Sequence, residues 1–466
     1  MNNSAAQALL PNLVYTGGRF QSELAVFCDD TGRIQSITPA HELHDAARLK
    51  DRALLPGLIN THSHAFQRVI RGHTERRTSA SKDSFWTWRE MMYSAVRRLT
   101  PEDIYDVSRM VFLEMALSGI TTVGEFHYLH HAPDGTPYED PNLLSKQVIR
   151  AAREVGLRIA LLRVAYARSG YQLQANPLQS RFLETDPNLY LKHLIQLEHD
   201  LQGMKGEAWV GVAPHSVRAV PLNYLKEVIG FGRERNLPVQ MHLAEQPAEI
   251  SACIEEYGRS PVSLLTTEGL LSDRFTAVHA IHVTPKAVRL LADARCMICA
   301  CPTTERNLGD GVVPVDSFME KGLQVSLGSD SNVQVDLMED ARELEYHLRL
   351  QKMGRAVLSP PTDSEYSALA TRLFECATVN GARSLSAPGG LMEPGYAADF
   401  FTVNLNDPSI AGSGESDLLS SIVFSLSKTA VRDVFVAGKR IVAGGRHPLE
   451  EEIVEKFRNL QKRLWQ

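Results

Sequence analysis

The stretch ALLPGLINTHSHAFQ, residues 53–67, is an apolar run interrupted by Pro56 and Gly57 and followed by two histidines one residue apart. The run reads as a buried strand without polar alternation. His62 and His64 stand where that strand should end, and residues at i and i+2 of a strand point to one face. A single metal ion could take both imidazoles. Whether the chain is built for that depends on what else arrives at the same end of the sheet.

Seven further runs of the same kind follow: TTVGEFHY (121–128), LRIALLRVAY (157–166), AWVGVAPH (208–215), PVQMHLAE (238–245), TAVHAIHV (276–283), CMICACPT (296–303) and QVSLGSDS (324–331). With LLPGLIN (54–60) they make eight candidate strands. Continuous apolar strands are what a parallel sheet covered by helices requires. Helical patterns lie between most of them. PEDIYDVSRMVFLEMALSG (101–119) opens after the candidate cap Thr100 with Pro101 in first position, and PLNYLKEVIGFGRERN (221–236) is another. The alternation predicts an α/β fold, a (β/α)8 TIM-like barrel over residues 56–392. The chain ends read differently. Residues 8–52 and 398–445 alternate apolar and polar and carry turn signals such as TGG and DDTG. Neither set is long enough for a sheet of its own. Residues 1–55 and 393–466 are therefore expected to pair into one small composite β-sandwich domain, with a helix at the C-terminus and the barrel inserted between the halves.

Composition sets the bounds. The chain has 466 residues, 44% hydrophobic and 22% charged, with a formal net charge of -6. It is long enough to bury a large core. No basic stripe suggests nucleic acid, and no run of about 18 apolar residues suggests a membrane span. Six scattered cysteines and no secretory pattern at the start fit a reducing, cytoplasmic compartment.

In a parallel barrel, chemistry sits at the C-terminal ends of the strands. Collected by that rule, strand one brings His62 and His64. Strand two brings Glu125, His127 and Tyr128. Strand four brings His215, with Arg218 three residues on. Strand five brings His242 and Glu245, strand six His279, and strand eight Asp330. Strands three and seven contribute nothing so clear. Imidazole and carboxylate are the zinc ligands of choice outside thiolate sites. A histidine alone in a barrel is more often a structural residue held by hydrogen bonds. Several of them at one end of the strands, with an aspartate, make a metal centre the better reading. His242 and Asp330 would complete the ligand set. A divalent ion there makes water acidic enough to supply hydroxide near neutral pH. Other clusters carry less. CMICAC (296–301) reads as small buried side chains on strand seven, RGHTERR (71–77) as a solvated face, and APGG (387–390) lacks the surroundings of a phosphate loop. His130 and His131 in HYLHH (127–131) read as loop residues shaping the pocket.

PGLINTHSHAFQR (56–68), HLAEQ (242–246), VHA (278–280) and SLGSDS (326–331) resemble the amidohydrolase superfamily in its single-metal deaminase branch. The resemblance covers nearly the whole chain. Within that branch SFWTWREMMY (84–93), EFHYLHH (125–131), HSVRAV (215–220) and TTERNLGDG (303–311) are similar to the formimidoylglutamate deiminases of bacterial histidine breakdown. The resemblance implies one Zn2+ per chain on His62, His64, His242 and Asp330, and a homodimer. Glu245 is implied to shuttle protons, with His279 and Asp330 orienting the attacking water. Gln67, Arg89, Tyr128, His215 and Arg218 are implied to contact a small substrate with two carboxylates. Two-metal relatives bridge their ions with a carboxylated lysine at the end of strand four; GVAPHSV (211–217) has none. The pattern is departed from at Asn332, where a histidine is expected, and at Arg306, where a small residue is expected. Bidentate guanidinium groups suit two carboxylates. Arg218 lies just past strand four, and Arg89 is expected on an extended segment among the aromatics of SFWTWR. The expected reaction is hydrolysis of N-formimino-L-glutamate to N-formyl-L-glutamate and ammonia. A related single-zinc deaminase of a purine or pterin ring is the rival. A scaffold that has lost its metal is disfavoured, since all four ligands and Glu245 are present.

Overall fold

The computed structural model describes residues 7–42, 45–77, 83–361 and 367–466. Strands β1 (Gln7–Thr16), β2 (Arg19–Ser22), β3 (Leu24–Cys28), β4 (Ile34–Pro39) and β5 (Ala47–Pro56) come from the first part of the chain. β6 (Leu58–Ser63), β7 (Ile120–His127), β8 (Arg158–Ala165), β9 (Ala208–Pro214), β10 (Val239–Leu243), β11 (Phe275–His279), β12 (Met297–Ala300) and β13 (Gln324–Leu327) follow, separated by helices. β14 (Phe400–Asn404), β15 (Val431–Val436) and β16 (Lys439–Val442) precede a terminal helix, Glu450–Trp465.

β6 to β13 pair in sequence order as a parallel sheet. Every residue of β6, β7 and β8 is buried, which is why these strands carry no alternation. β13 returns to β6: Asp330 N donates to His62 O (3.0 Å) and His64 N to Asp330 O (2.9 Å). Those two bonds bring the strand-one histidines against the strand-eight aspartate. Gly328 permits the approach, because a Cβ there would lie 2.7 Å from the His62 Cβ. The eight-stranded barrel expected from the apolar runs is the fold observed.

The two chain ends pair as expected, into one mixed sheet in the order β16-β15-β14-β5-β1-β3-β4, with β2 on β1. The seam is β5 against β14, antiparallel, with Leu54 opposite Thr402 and Pro56 opposite Phe400. One strand differs from the sequence reading. The run at 54–60 is not a single strand: its first half completes β5 in the mixed sheet and its second half starts β6 in the barrel. The turn at Gly57 divides them, and no larger residue fits there, since a Cβ would stand 2.3 Å from Thr121 Oγ1.

Barrel and sheet are joined by a buried ion pair. Arg158, at the start of β8, donates from Nε and Nη2 to Asp399 (2.6 and 3.0 Å), and Asp399 Oδ1 also accepts from Ala437 N (2.7 Å). The terminal helix packs on helix Pro101–Leu117, whose Thr100 cap and Asp103 form the reciprocal capping pair expected there. Trp465 Nε1 and Gln461 Nε2 both donate to Val69 O (3.0 and 3.1 Å), so the end of the chain braces the turn that carries Gln67. Among the described residues no helix is long and apolar enough to cross a membrane.

Candidate active site and metal centre

Four side chains from three parts of the barrel converge. His62 Nε2 lies 3.2 Å from His64 Nε2 and 3.2 Å from His242 Nε2. Asp330 Oδ1 lies 3.2 Å from His64 Nε2 and 3.6 Å from His62 Nε2. The other ring nitrogens are already committed. His62 Nδ1 meets Gln240 Oε1 (3.1 Å), His64 Nδ1 meets Phe126 O (2.8 Å) and His242 Nδ1 meets His215 O (3.1 Å). Each of those partners can only accept, so each Nδ1 carries the hydrogen and each Nε2 presents a lone pair. Gln240 is itself oriented by donating to Thr61 O (2.9 Å). Burial pushes the His62 ring down to about 4 and the His242 ring well below its usual range. Three neutral lone pairs and a carboxylate oxygen aimed at one point repel one another unless a cation sits among them. The donor set therefore fits a divalent ion, and tautomer-fixing acceptors behind each imidazole are the usual support of such a site.

Beside this cluster are Glu245 and His279, both buried. Glu245 follows β10 on a backbone turned by Ala244, whose φ is +53°. Glu249, in the first turn of helix Pro247–Tyr257, reaches back to accept from Ala244 N (3.1 Å) and Glu245 N (3.3 Å). Burial raises the Glu245 carboxyl above its usual range. His279 ends β11 at φ +70°, and Asp330, just past β13, stands at φ +47°. Such backbone is costly for residues with a Cβ and collects at functional sites. His279 Nε2 faces Asp330 Oδ2 at 3.8 Å, while its Nδ1 meets Glu305 Oε1 at 3.1 Å.

The residues expected to touch substrate share one cavity with Glu245, His279 and Asp330. Gln67 Nε2 donates to Tyr128 Oη (2.9 Å), and its Oε1 is buried without a partner. Arg89 lies over Trp86 at 4.4 Å and Tyr93 at 5.4 Å; Arg218 lies over Trp86 at 5.5 Å. Arg89 Nε and Nη1 and Arg218 Nε are buried and unbonded. Neither guanidinium pairs with a carboxylate among the described residues. His215 stacks edge-on against Tyr166 and offers its Nδ1 to Ser216 Oγ at 3.2 Å. A larger groove lies at the opposite end of the barrel, lined in part by Arg274, Arg295 and Arg383, and holds none of these groups.

Several local readings change. Arg89 is not on an extended segment but in helix Phe85–Val96, which Ser84 caps reciprocally with Thr87. The aromatic-rich sequence masked that helix, and the cap three residues before Thr87 was its signal. His130 and His131 do not line the cavity. Their Nε2 atoms are held by backbone carbonyls instead, Val164 O (2.8 Å) and Leu183 O (2.9 Å). His127 is buried with neither ring nitrogen bonded, and Glu125 Oε1 accepts from Ala65 N (2.6 Å) behind the histidines. RGHTERR is only partly a solvated face: Arg71 pairs with Glu114 (2.8 Å), and His73 stacks on Trp465. Asn332 accepts from Ser329 Oγ (2.7 Å) and donates to Ser63 Oγ (3.2 Å), tying strand eight to strand one without a histidine. Arg306 points outward to Glu343 (2.6 Å) and stays out of the cavity. The three cysteines of CMICAC are buried and free. Gln240, Glu249, Glu305 and Asp310 are the residues that the strand-end rule passed over. Glu305 and Asp310 lie in TTERNLGDG, so the stretch was visible while its partners were not.

Residues 53–441 match the model of the amidohydrolase family. The chain is 37% identical over 454 residues to the formimidoylglutamate deiminase of Pseudomonas aeruginosa, covering 97% of each chain. It is 28% identical over 425 residues to a 5-methylthioadenosine/S-adenosylhomocysteine deaminase of Syntrophomonas wolfei, covering 89% of this chain and 88% of that one. Among solved structures, an amidohydrolase from Brucella melitensis superposes with a TM-score of 0.90 at 33% identity, over 99% of this chain and all of that one.

Proposed function

This chain belongs to the amidohydrolase family, and from that premise we propose that it hydrolyses N-formimino-L-glutamate to N-formyl-L-glutamate and ammonia. The observation that carries the substrate is the pair of half-buried arginines, Arg89 and Arg218, whose buried nitrogens (Nε and Nη1 of Arg89, Nε of Arg218) are unbonded and which have no carboxylate partner among the described residues. A buried guanidinium left unpaired is costly. It is tolerated where a ligand brings the missing anion, and formimino-glutamate brings two carboxylates. The likeness to the Pseudomonas deiminase supports the same substrate.

A zinc ion held by His62, His64, His242 and Asp330 would supply water activated for attack. The remaining work falls to the chain. Arg218 and Arg89 take the carboxylates nearer the rim, with Tyr128, Gln67 and His215 giving neutral hydrogen bonds. This lays the amidine carbon toward Asp330 and Glu245. Glu245 carries both protons of the attacking water, one after the other, to the amidine nitrogen, which leaves as ammonia as its bond to carbon breaks, while the carbon keeps the water oxygen as a formyl group. His279 and Asp330 orient that water. One ion per chain belongs to this reading, since His215 stands where two-metal relatives have their lysine. So does a division of the chain after residues 55 and 392, supported by β5 ending at Pro56 and β14 beginning at Phe400. A homodimer rests on the resemblance alone, and a cytoplasmic setting on the six free, scattered cysteines.

Arg218→Met and Arg89→Met test the reading at its carrying observation. Each should raise KM for formimino-glutamate at least about tenfold, the loss expected for a charge-assisted pair worth ~1.5–3 kcal/mol, with zinc content unchanged. Unchanged KM in both variants would remove the basis for a dicarboxylate substrate.

A further inference from the structure

Strand seven looked chemically empty in the sequence, yet the segment after β12 places a carboxylate against the strand-six histidine. Cys301 and Pro302 turn the chain into helix Pro302–Leu308, and Glu305 lies in its first turn. Glu305 is 1% exposed, as is His279. Its Oε1 accepts two hydrogens, from Cys301 N at 2.9 Å and from His279 Nδ1 at 3.1 Å. A carboxylate oxygen only accepts, so the hydrogen on Nδ1 is fixed on the side away from the cavity. Nε2 is thereby aimed at Asp330 Oδ2, 3.8 Å away, on the side of the cavity that both residues line. The ring also lies nearly parallel to His242, at 11° and 5.5 Å between centroids. Stacking sets its plane but not which nitrogen faces inward. The His279 backbone, at φ +70°, offers no help. Glu305 is the one described carboxylate placed to make that choice.

We propose that Glu305 is a positioning residue for the deamination, holding His279 with Nδ1–H turned to the protein and Nε2 turned to the reacting water. The proposal rests on the reading of the cavity as a hydrolytic deaminase site. His279, Cys301 and Glu305 also bring donor atoms close enough to suggest a second ion. That alternative fails on the same geometry: Glu305 Oε1 is already filled by two N–H groups, and burial pushes the Cys301 thiol well above its usual range. The cluster is a hydrogen-bonded support.

The test is a double-mutant cycle between Glu305→Leu and His279→Asn, with the His279 ring followed by nitrogen NMR in metal-stripped protein. Glu305→Leu should lower kcat by about 10- to 100-fold, the usual cost of losing such a support, while KM and zinc content hold. Glu305→Gln keeps an acceptor for both N–H groups and should recover most of kcat. In the His279→Asn background Glu305→Leu should cost nothing further beyond about twofold, as coupled sites behave. Nδ1 of His279 should carry a hydrogen bonded to the side chain at position 305 in the parent protein and in Glu305→Gln, and should cease to do so uniformly in Glu305→Leu. Additive losses, or a His279 signal unmoved by Glu305→Leu, would overturn the proposal. Should Glu305→Leu not fold, Glu305→Asp carries the same test, because it keeps the charge but withdraws the acceptor from Nδ1. The cycle is run on whichever amidine or amine substrate the parent turns over, and the NMR arm needs none. A wrong substrate and a wrong role for Glu305 are thus told apart.

Discussion

Glu245 borders the four-atom convergence of His62, His64, His242 and Asp330 without joining it. Glu245→Gln keeps the size and removes the titrating proton. It should retain about one zinc per chain, from the ligand count, and lose on the order of a hundredfold or more in kcat, as loss of general acid–base catalysis does. Normal turnover would assign the proton to another group. Because burial raises Glu245, the acid limb of kcat/KM should lie above the ordinary glutamate range: activity falls as pH drops through the raised value. Asp310 makes a separate claim on stability. It accepts from Gln246 Nε2 at 2.5 Å, its Oδ2 is buried and unbonded, and burial followed by the nearby Glu245 pushes it up to about 8. His279 opposes that shift and Glu305 adds to it. A carboxyl raised in the folded state favours folding below its unfolded value, 3.8, and that stability is lost as pH climbs toward 8. Asp310→Asn keeps the bond to Gln246 and removes the titration, so its Tm should decline less than the parent's between those limits. Parallel melting curves would show that Asp310 does not titrate there. The ligand histidines were legible because a spacing of two puts both on one strand face. Glu305 and Gln240 were not, because their roles are set by partners tens of residues away that no local pattern announces.

At the scale of elements, the barrel strands could be read because burial on both faces leaves nothing but apolar residues. The same property blurred the boundary at Gly57, where one run serves two sheets. Helix Phe85–Val96 was misread because Trp and Thr weaken the helical signal, and tertiary contact with the cavity overrides that preference. The elements that bring these sheets together make a testable joint. Arg158 and Asp399 are 8% and 1% exposed, and each is held by two bonds to the other. Arg158→Met leaves Asp399 buried beside a thioether and should lower unfolding free energy by about 3–5 kcal/mol, the usual cost of breaking a buried pair on one side. Arg158→Met combined with Asp399→Leu should recover part of the loss. Urea unfolding reads both. A loss under ~1 kcal/mol, typical of a surface pair, would mean the joint is solvated.

Over the whole molecule, both ends of the chain serve one site at its middle. The mixed sheet closes across β5 and β14, and the terminal helix holds Val69 from behind while Arg68 and Arg71 grip Glu114 at 2.8 Å. Arg71 Nε also donates to Asn332 O at 2.8 Å, so the turn carrying Gln67 is fixed to strand eight. That frame presents Arg89 and Arg218 in the same cavity as His64, His242 and Asp330, an arrangement that suits a dianion with a reactive amidine. A neutral ring system would leave both guanidinium groups unanswered. The most direct measurement is kcat/KM of the zinc-loaded protein on N-formimino-L-glutamate, beside 5-methylthioadenosine, adenosine, guanine and a formimino compound lacking one carboxylate. The account predicts that formimino-glutamate leads and that removing one carboxylate costs at least about tenfold, in proportion to a lost charge-assisted pair. Faster turnover of a purine, or indifference to the missing carboxylate, would contradict it.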